Sequence, residues 1–191
     1  HPSLRKLDFF EHVYPKTYGD DLLVSIKEPI KDLFNATTYA KFCKDVYKMN
    51  FTATIKGSAI MPWQTIEESS FLKRNFVYSK ERQRWLAPLF KESMVKMMYF
   101  YLPSNSVSKE EQWISTLTSF FYELHQHVEE EKFTKMRSAI IRNVGVHFAT
   151  TVDVLNEIMP TFDIIEDRIM SDNVIQVESN ICLLSCPYVG Q

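Results

Sequence analysis

The chain has 191 residues, 45% of them apolar, and a formal net charge of −2 with a pI near 6.2, enough for one sizeable core or two small ones. No overall basic field advertises nucleic-acid binding, so any such contact has to come from local patches. Four glycines, none at Walker or dinucleotide spacing, exclude a glycine-rich phosphate loop, and the apolar stretch from Met94 to Leu102 is too short, and broken by Lys96, to span a bilayer.

The chain opens on His1 rather than Met and shows no signal-peptide pattern, as expected of a segment cut from a longer polypeptide. Leu4, Leu7, Phe10 and Tyr14 follow a three-to-four spacing that predicts a short helix stopped by Pro15. Next comes Thr17-Tyr18-Gly19-Asp20-Asp21-Leu22-Leu23-Val24-Ser25-Ile26. Tyr18 and the apolar run favour extended backbone, and Gly-Asp tolerates the positive φ of a tight turn, so the stretch predicts a hairpin with two acids at its tip. Alternation along a strand makes Asp20 and Asp21 diverge, one toward a bound cation and its neighbour toward a supporting contact or a second cation. Hard cations such as Mg²⁺ take carboxylate oxygen together with waters and substrate phosphates. An acid-bearing turn with no ligand, built from residues that suit turns, is the plain alternative.

Ile30, Leu33, Phe34, Thr37, Ala40, Cys43, Val46 and Tyr47 lie at helical spacing and predict one amphipathic helix from Pro29 to Tyr47. Phe51 to Ile55 alternates as a short strand, and Gly57 opens a loop through Pro62. Phe71 to Phe76 reads as a strand with Leu72, Arg74 and Phe76 on one face and Phe71, Lys73 and Asn75 on the other. Its adjacent cations suit phosphate contact or, as plainly, a charged edge that discourages aggregation. Ser79 to Gln83 is a polar turn returning through a strand at Trp85 to Ala87.

Pro88 suits a helix start, and Lys91 to Leu102 is apolar on more than one face, which predicts a well-buried helix whose methionines fill core. Ser108-x-x-Glu111 is a capping box for a helix whose stripe of Trp113, Leu117, Phe120, Phe121, Leu124 and Val128 predicts core. His125 and His127, two apart on a helix, do not share a face and make a poor zinc pair. After the acidic run Glu129 to Glu131, helical spacing runs from Phe133 to Ile158, with Lys132, Lys135, Arg137 and Arg142 as cations of which some could face RNA. Val174 to Leu184 suits strand or helix. Cys43, Cys182 and Cys186 are odd in number, and Cys182-x₃-Cys186 lacks the further ligands of a structural zinc site, which predicts reduced intracellular thiols.

Tyr18-Gly19-Asp20-Asp21, Asn50-Phe51-Thr52-Ala53-Thr54-Ile55-Lys56, Phe71-Leu72-Lys73-Arg74-Asn75-Phe76 and Ala87-Pro88-Leu89 occur in that order. The ordered set resembles the last palm motifs and thumb entry of RNA-dependent RNA polymerases of picorna-like positive-strand RNA viruses, including insect viruses of dicistrovirus and iflavirus type. The resemblance implies an α+β fold: residues 1–87 as the C-terminal part of a palm, with antiparallel hairpins and one helix, and residues 88–191 as a mostly helical thumb. It implies Asp20 as principal metal ligand and Asp21 as its companion, for Mg²⁺ with Mn²⁺ as a substitute. It further implies Tyr18 and Gly19 as shapers of the turn, Lys56 as a general acid for the pyrophosphate leaving group, and Lys73 and Arg74 as contacts for primer or nucleotide phosphates. Template and primer RNA, nucleoside triphosphates and the remainder of the polymerase would be its partners, in replication complexes of the host cytoplasm. Two-metal nucleotidyl transfer needs cations about 3.5–4 Å apart and more than one carboxylate site. The other aspartate motif has no place in the sixteen residues before Thr17, so the isolated chain is expected to be inactive. Two further readings are a non-catalytic helical module that binds RNA or protein, and a reverse transcriptase, which also carries paired acids on a hairpin.

Overall fold

The computed structural model describes residues 8–55, 57–100, 103–147 and 152–178. The chain is a mixture of helices and small antiparallel strand pairs, and it divides into two compact units, His1–Phe76 and Val77–Gln191.

In the first unit a single helical turn, α1 (Phe9–His12), is capped by the Asp8 carboxylate, which accepts from Phe10 N at 3.1 Å. The chain becomes extended at Val13, so β1 (Val13–Tyr18) contains both Tyr14 and Pro15, and the helix ends two residues short of where the spacing of apolar residues had carried it. Pro15 is tolerated because a two-stranded ladder has an open edge that needs no N–H from it. β1 pairs with β2 (Asp21–Ile26), register Val13↔Ile26 to Tyr18↔Asp21. Burial fades along β1, from a buried Val13 to an exposed Tyr18.

The helix expected over Pro29 to Tyr47 is interrupted. Pro29 sits in a 3₁₀ turn, Glu28–Ile30, and α2 (Ala36–Phe42) starts only after Asn35. Asn35 is extended at φ −151°, its side chain accepts from Thr38 N at 3.0 Å, and Thr38 Oγ1 accepts from Asn35 N at 2.9 Å. This reciprocal cap stops the helix from running back through an otherwise periodic sequence. At its far end the helix widens into a π turn, Cys43–Tyr47, and closes on a left-handed Lys48. Phe51 to Ile55, expected as a strand, forms no ladder; Phe51 instead sets its ring edge-on to Tyr39 at 5.4 Å.

The expected strand Phe71 to Phe76 is also broken. β3 (Ser70–Phe71) and β4 (Arg74–Asn75) pair around Leu72 and Lys73, both at positive φ, 52° and 62°. That is the backbone of a type I′ turn, so the face shared by Leu72, Arg74 and Phe76 does not exist. Among the described residues of this unit, Val13, Ile30, Cys43 and Phe76 are the buried apolar ones.

The second unit opens with a hairpin, β5 (Val77–Ser79) against β6 (Arg84–Leu86). α3 (Lys91–Tyr99), α4 (Lys109–His125), α5 (Glu130–His147), α6 (Val152–Ile158) and α7 (Phe162–Glu178) follow. The Ser108–Glu111 box forms as the sequence predicts: Ser108 Oγ accepts from Glu111 N, and Glu111 reaches back to Ser108 N at 2.9 Å. The core is the predicted α4 stripe of Leu117, Phe120, Phe121 and Leu124 packed with Phe133, Ile141 and Val144 of α5 and with Leu155, Met159 and Ile165. α3 departs from expectation: Met94 is buried, but Val95, Tyr99 and Phe100 are exposed. Of the stretch Val174 to Leu184, residues 174–178 belong to α7; Leu4, Leu7, Cys182 and Cys186 lie outside the described residues. Among the described residues no helix is long and apolar enough to cross a membrane.

Candidate metal site at the β1–β2 tip

Six consecutive cross-strand pairs bring Tyr18 and Asp21 opposite each other and leave Gly19 and Asp20 as a two-residue loop. Gly19 takes φ +60°, and Asp20 is not among the residues at positive φ, the pattern of a glycine-first hairpin turn whose twist matches the strands. A Cβ built on Gly19 would meet nothing within 4 Å. Glycine is therefore required by the backbone, not by lack of room. Tyr18, Asp20 and Asp21 are all exposed, and among the described residues neither carboxylate is engaged by a cationic side chain. Two adjacent carboxylates with free oxygens fit a hard cation that keeps several waters and takes substrate phosphates. They fall short of a closed protein cage, and among the described residues no group of three or more His, Cys, Asp or Glu converges as a metal site.

Lys73 sits exposed at the tip of the β3–β4 turn, and Arg74 is half-buried, opposite Phe71 in the ladder. β2 lies against β3, which makes the two hairpins neighbours within the first unit. Lys56 lies outside the described residues. The structure thus brings together Tyr18, Gly19, Asp20 and Asp21 at one tip, and puts Lys73 on the tip of the adjoining hairpin.

The family described as viral RNA-dependent RNA polymerase matches residues 2–136. The chain belongs to the viral RNA-dependent RNA polymerase family. It is 30% identical over 141 residues to the replicase polyprotein of Drosophila C virus, covering 73% of the chain and 8% of that polyprotein. It is similarly 30% identical over 138 residues to the replicase polyprotein of Cricket paralysis virus, covering 72% of the chain and 8% of that polyprotein. With the genome polyprotein of Deformed wing virus it shares 37% over 87 residues, 46% of the chain and 3% of that polyprotein. The chain therefore spans less than a tenth of the length of these relatives.

This polymerase-family chain also holds two buried cationic side chains that its sequence did not mark. Arg82, in the turn read only as polar, has a side chain 6% exposed, and Arg137 is buried on α5. Arg137 spends its donors on Pro160 O, Asn156 Oδ1, Asn156 O and Met159 O at 2.7–3.2 Å, which removes it from the cations that could face RNA. Burial pushes its guanidinium down from the ordinary arginine range. His125, fully buried, lies between the rings of Phe133 and Phe162. Burial first, then the charges of Arg82 and Arg84, lower its pKa to about 4, against a smaller opposing pull from Glu129. Its Nε2 is 2.8 Å from Glu166 Oε2 but not aligned with it as a hydrogen bond. The imidazole is consequently neutral near pH 7. Only tertiary packing distinguishes these groups from solvated ones; a turn rich in Lys, Glu, Arg and Gln carries no sequence signal that one arginine turns inward.

Proposed function

We propose that this chain is the C-terminal palm and thumb segment of an RNA-directed RNA polymerase that adds nucleotides to an RNA 3′ end in viral genome replication, residues 1–87 belonging to the palm and 88–191 to the thumb. The observation that carries the proposal is the two-residue turn that displays Asp20 and Asp21, free of internal cationic partners, at the tip of a regular ladder. Asp20 is the principal ligand for Mg²⁺, with Asp21 beside it and Mn²⁺ as a substitute. Bound there, the cation would neutralise triphosphate charge and acidify the primer 3′ hydroxyl. Gly19 sets the turn that aims the acids, and Tyr18 closes it. Lys73, on the tip of the adjoining hairpin, and Arg74, in its ladder, are the contacts for primer or nucleotide phosphates. Lys56 is the candidate proton donor to the pyrophosphate leaving group. Template and primer RNA and nucleoside triphosphates are the substrates, the remainder of the polymerase completes the site, and the replication complexes of the host cytoplasm are its place of action.

Because two cations need more carboxylate than one tip supplies, the isolated chain is expected to incorporate no labelled nucleotide. Incorporation that Asp20→Ala abolishes would overturn that half of the proposal. The metal half is tested by titrating the isolated chain with Mn²⁺ and following paramagnetic broadening. The expected broadening is centred on Gly19 to Leu22 and lost in Asp20→Asn. Broadening centred elsewhere, or indifferent to Asp20→Asn, would overturn it. The family assignment favours this reading over a non-catalytic binding module or a reverse transcriptase.

A further inference from the structure

The hairpin β5–β6 has three residues per strand, too few for a two-stranded ladder to hold itself together in water. Two arginines tie it to the helices. Arg82, between the strands, donates from Nη1 to His125 O at 2.9 Å and from Nη2 to Val128 O at 2.7 Å, and Nη2 reaches Glu129 Oε2 at 3.4 Å. Its guanidinium carbon stands 4.8 Å from the centroid of the Phe162 ring. His125 ends α4, so Arg82 supplies donors and positive charge where a helix leaves carbonyls unpaired and its dipole is negative. Arg84, the first residue of β6, sets Nη2 2.7 Å from Glu166 Oε2 and Nη1 2.9 Å from Met170 Sδ, both on α7. The cluster is not built for maximal stability: Arg82 Nε and His125 Nε2 are buried without an aligned partner, a cost that an apolar contact would avoid.

We propose that Arg82 and Arg84 are positioning residues that make the β5–β6 hairpin an extension of the helical unit, so that the hairpin opens only when the C-terminal end of α4 opens. Its outer face, where the half-exposed Tyr78 ring lies 5.5 Å from that of Trp85, is then aimed by α4 and α7 and not by its own ladder. The inference goes beyond the polymerase reading and does not rest on it.

Native-state amide hydrogen exchange on the 191-residue chain tests the proposal. In the wild type, amides of Val77 to Leu86 and of the last turn of α4 are expected to exchange with the same opening equilibrium. Arg82→Lys keeps the charge but loses the fork that serves two carbonyls. It should lower hairpin protection by at least about tenfold, the equivalent of one lost charge-assisted hydrogen bond, while amides around Phe121 and Ile141 stay within about twofold. Arg84→Gln, at the more accessible link, should act in the same direction with the far-UV spectrum unchanged. A wild-type hairpin exchanging much faster than the end of α4, or hairpin protection unchanged in both variants, would overturn the proposal. Equal loss across hairpin and core in both variants would also overturn it, because the arginines would then serve general stability.

Discussion

Replacing Arg137 by methionine keeps the apolar stem on α5 and deletes a guanidinium that makes four hydrogen bonds around the end of α6. Asn156 O, in the last turn of that helix, and Met159 O and Pro160 O just beyond it lose their donor together. Met159 and Pro160 are buried, so water replaces the lost partner poorly. Stranded acceptors cost about 1–3 kcal/mol each. Release from burying a guanidinium offsets part of that, leaving a net loss of about 3–5 kcal/mol, the range for breaking a buried charged cluster. The assay is urea unfolding followed by far-UV circular dichroism, with Lys135→Met on the same helix as control. Lys135 is exposed and pairs with Glu131 one turn away, so its loss should cost no more than about 0.5 kcal/mol. A cost under about 1 kcal/mol for Arg137→Met would refute the reasoning.

His125 gives a pH dependence of definite sign. Its folded pKa, about 4, lies below its ordinary 6.5, so the unfolded chain takes up the proton first and stability falls as pH drops from about 6.5 toward 4, levelling off below. Linkage sets this contribution at no more than about 2 kcal/mol at pH 5 relative to pH 7. Burial sets most of it, the charges of Arg82 and Arg84 from the hairpin add to it, and Glu129 after α4 opposes it. Urea midpoints at pH 7 and pH 5 should differ less in His125→Gln than in the wild type; identical pH slopes would contradict the assignment. Gly19→Ala should cost about 1 kcal/mol through φ alone, since the space is open, and Gly19→Asn less, because asparagine tolerates the left-handed region. Amide exchange across Thr17 to Leu22 measures both, and equal costs would argue against the turn geometry.

The parts of the fold legible in the sequence are those fixed by local chemistry. Gly19-Asp20 between β-formers predicts the hairpin, Ser108 and Glu111 start α4 where they stand, and the α4 stripe becomes core because its spacing leaves one apolar face. The parts that were not legible have equally local reasons. Leu72-Lys73 carries no turn signal, and only tertiary context holds a leucine at positive φ. Asn35 did carry a cap signal, but apolar periodicity from Ile30 onward ran through it. Phe51 to Ile55 alternates correctly but has no partner strand, and alternation alone makes no sheet. Arg82, His125 and Arg137 look like solvated groups until helices from distant parts of the chain close around them. Of the candidate site, the acid tip was legible to the residue, whereas Lys73 was assigned to a strand and stands on a turn.

The most direct test of the account is primer extension by a longer polypeptide that joins this chain to its upstream polymerase segment, comparing the wild type with Asp20→Asn at saturating Mg²⁺ and matched folding by circular dichroism. Loss of a carboxylate that holds the cation should lower the rate by at least about 10²-fold, with the thermal midpoint unchanged because the tip is exposed. Extension at the wild-type rate by Asp20→Asn would contradict the assignment of the β1–β2 tip as the metal site.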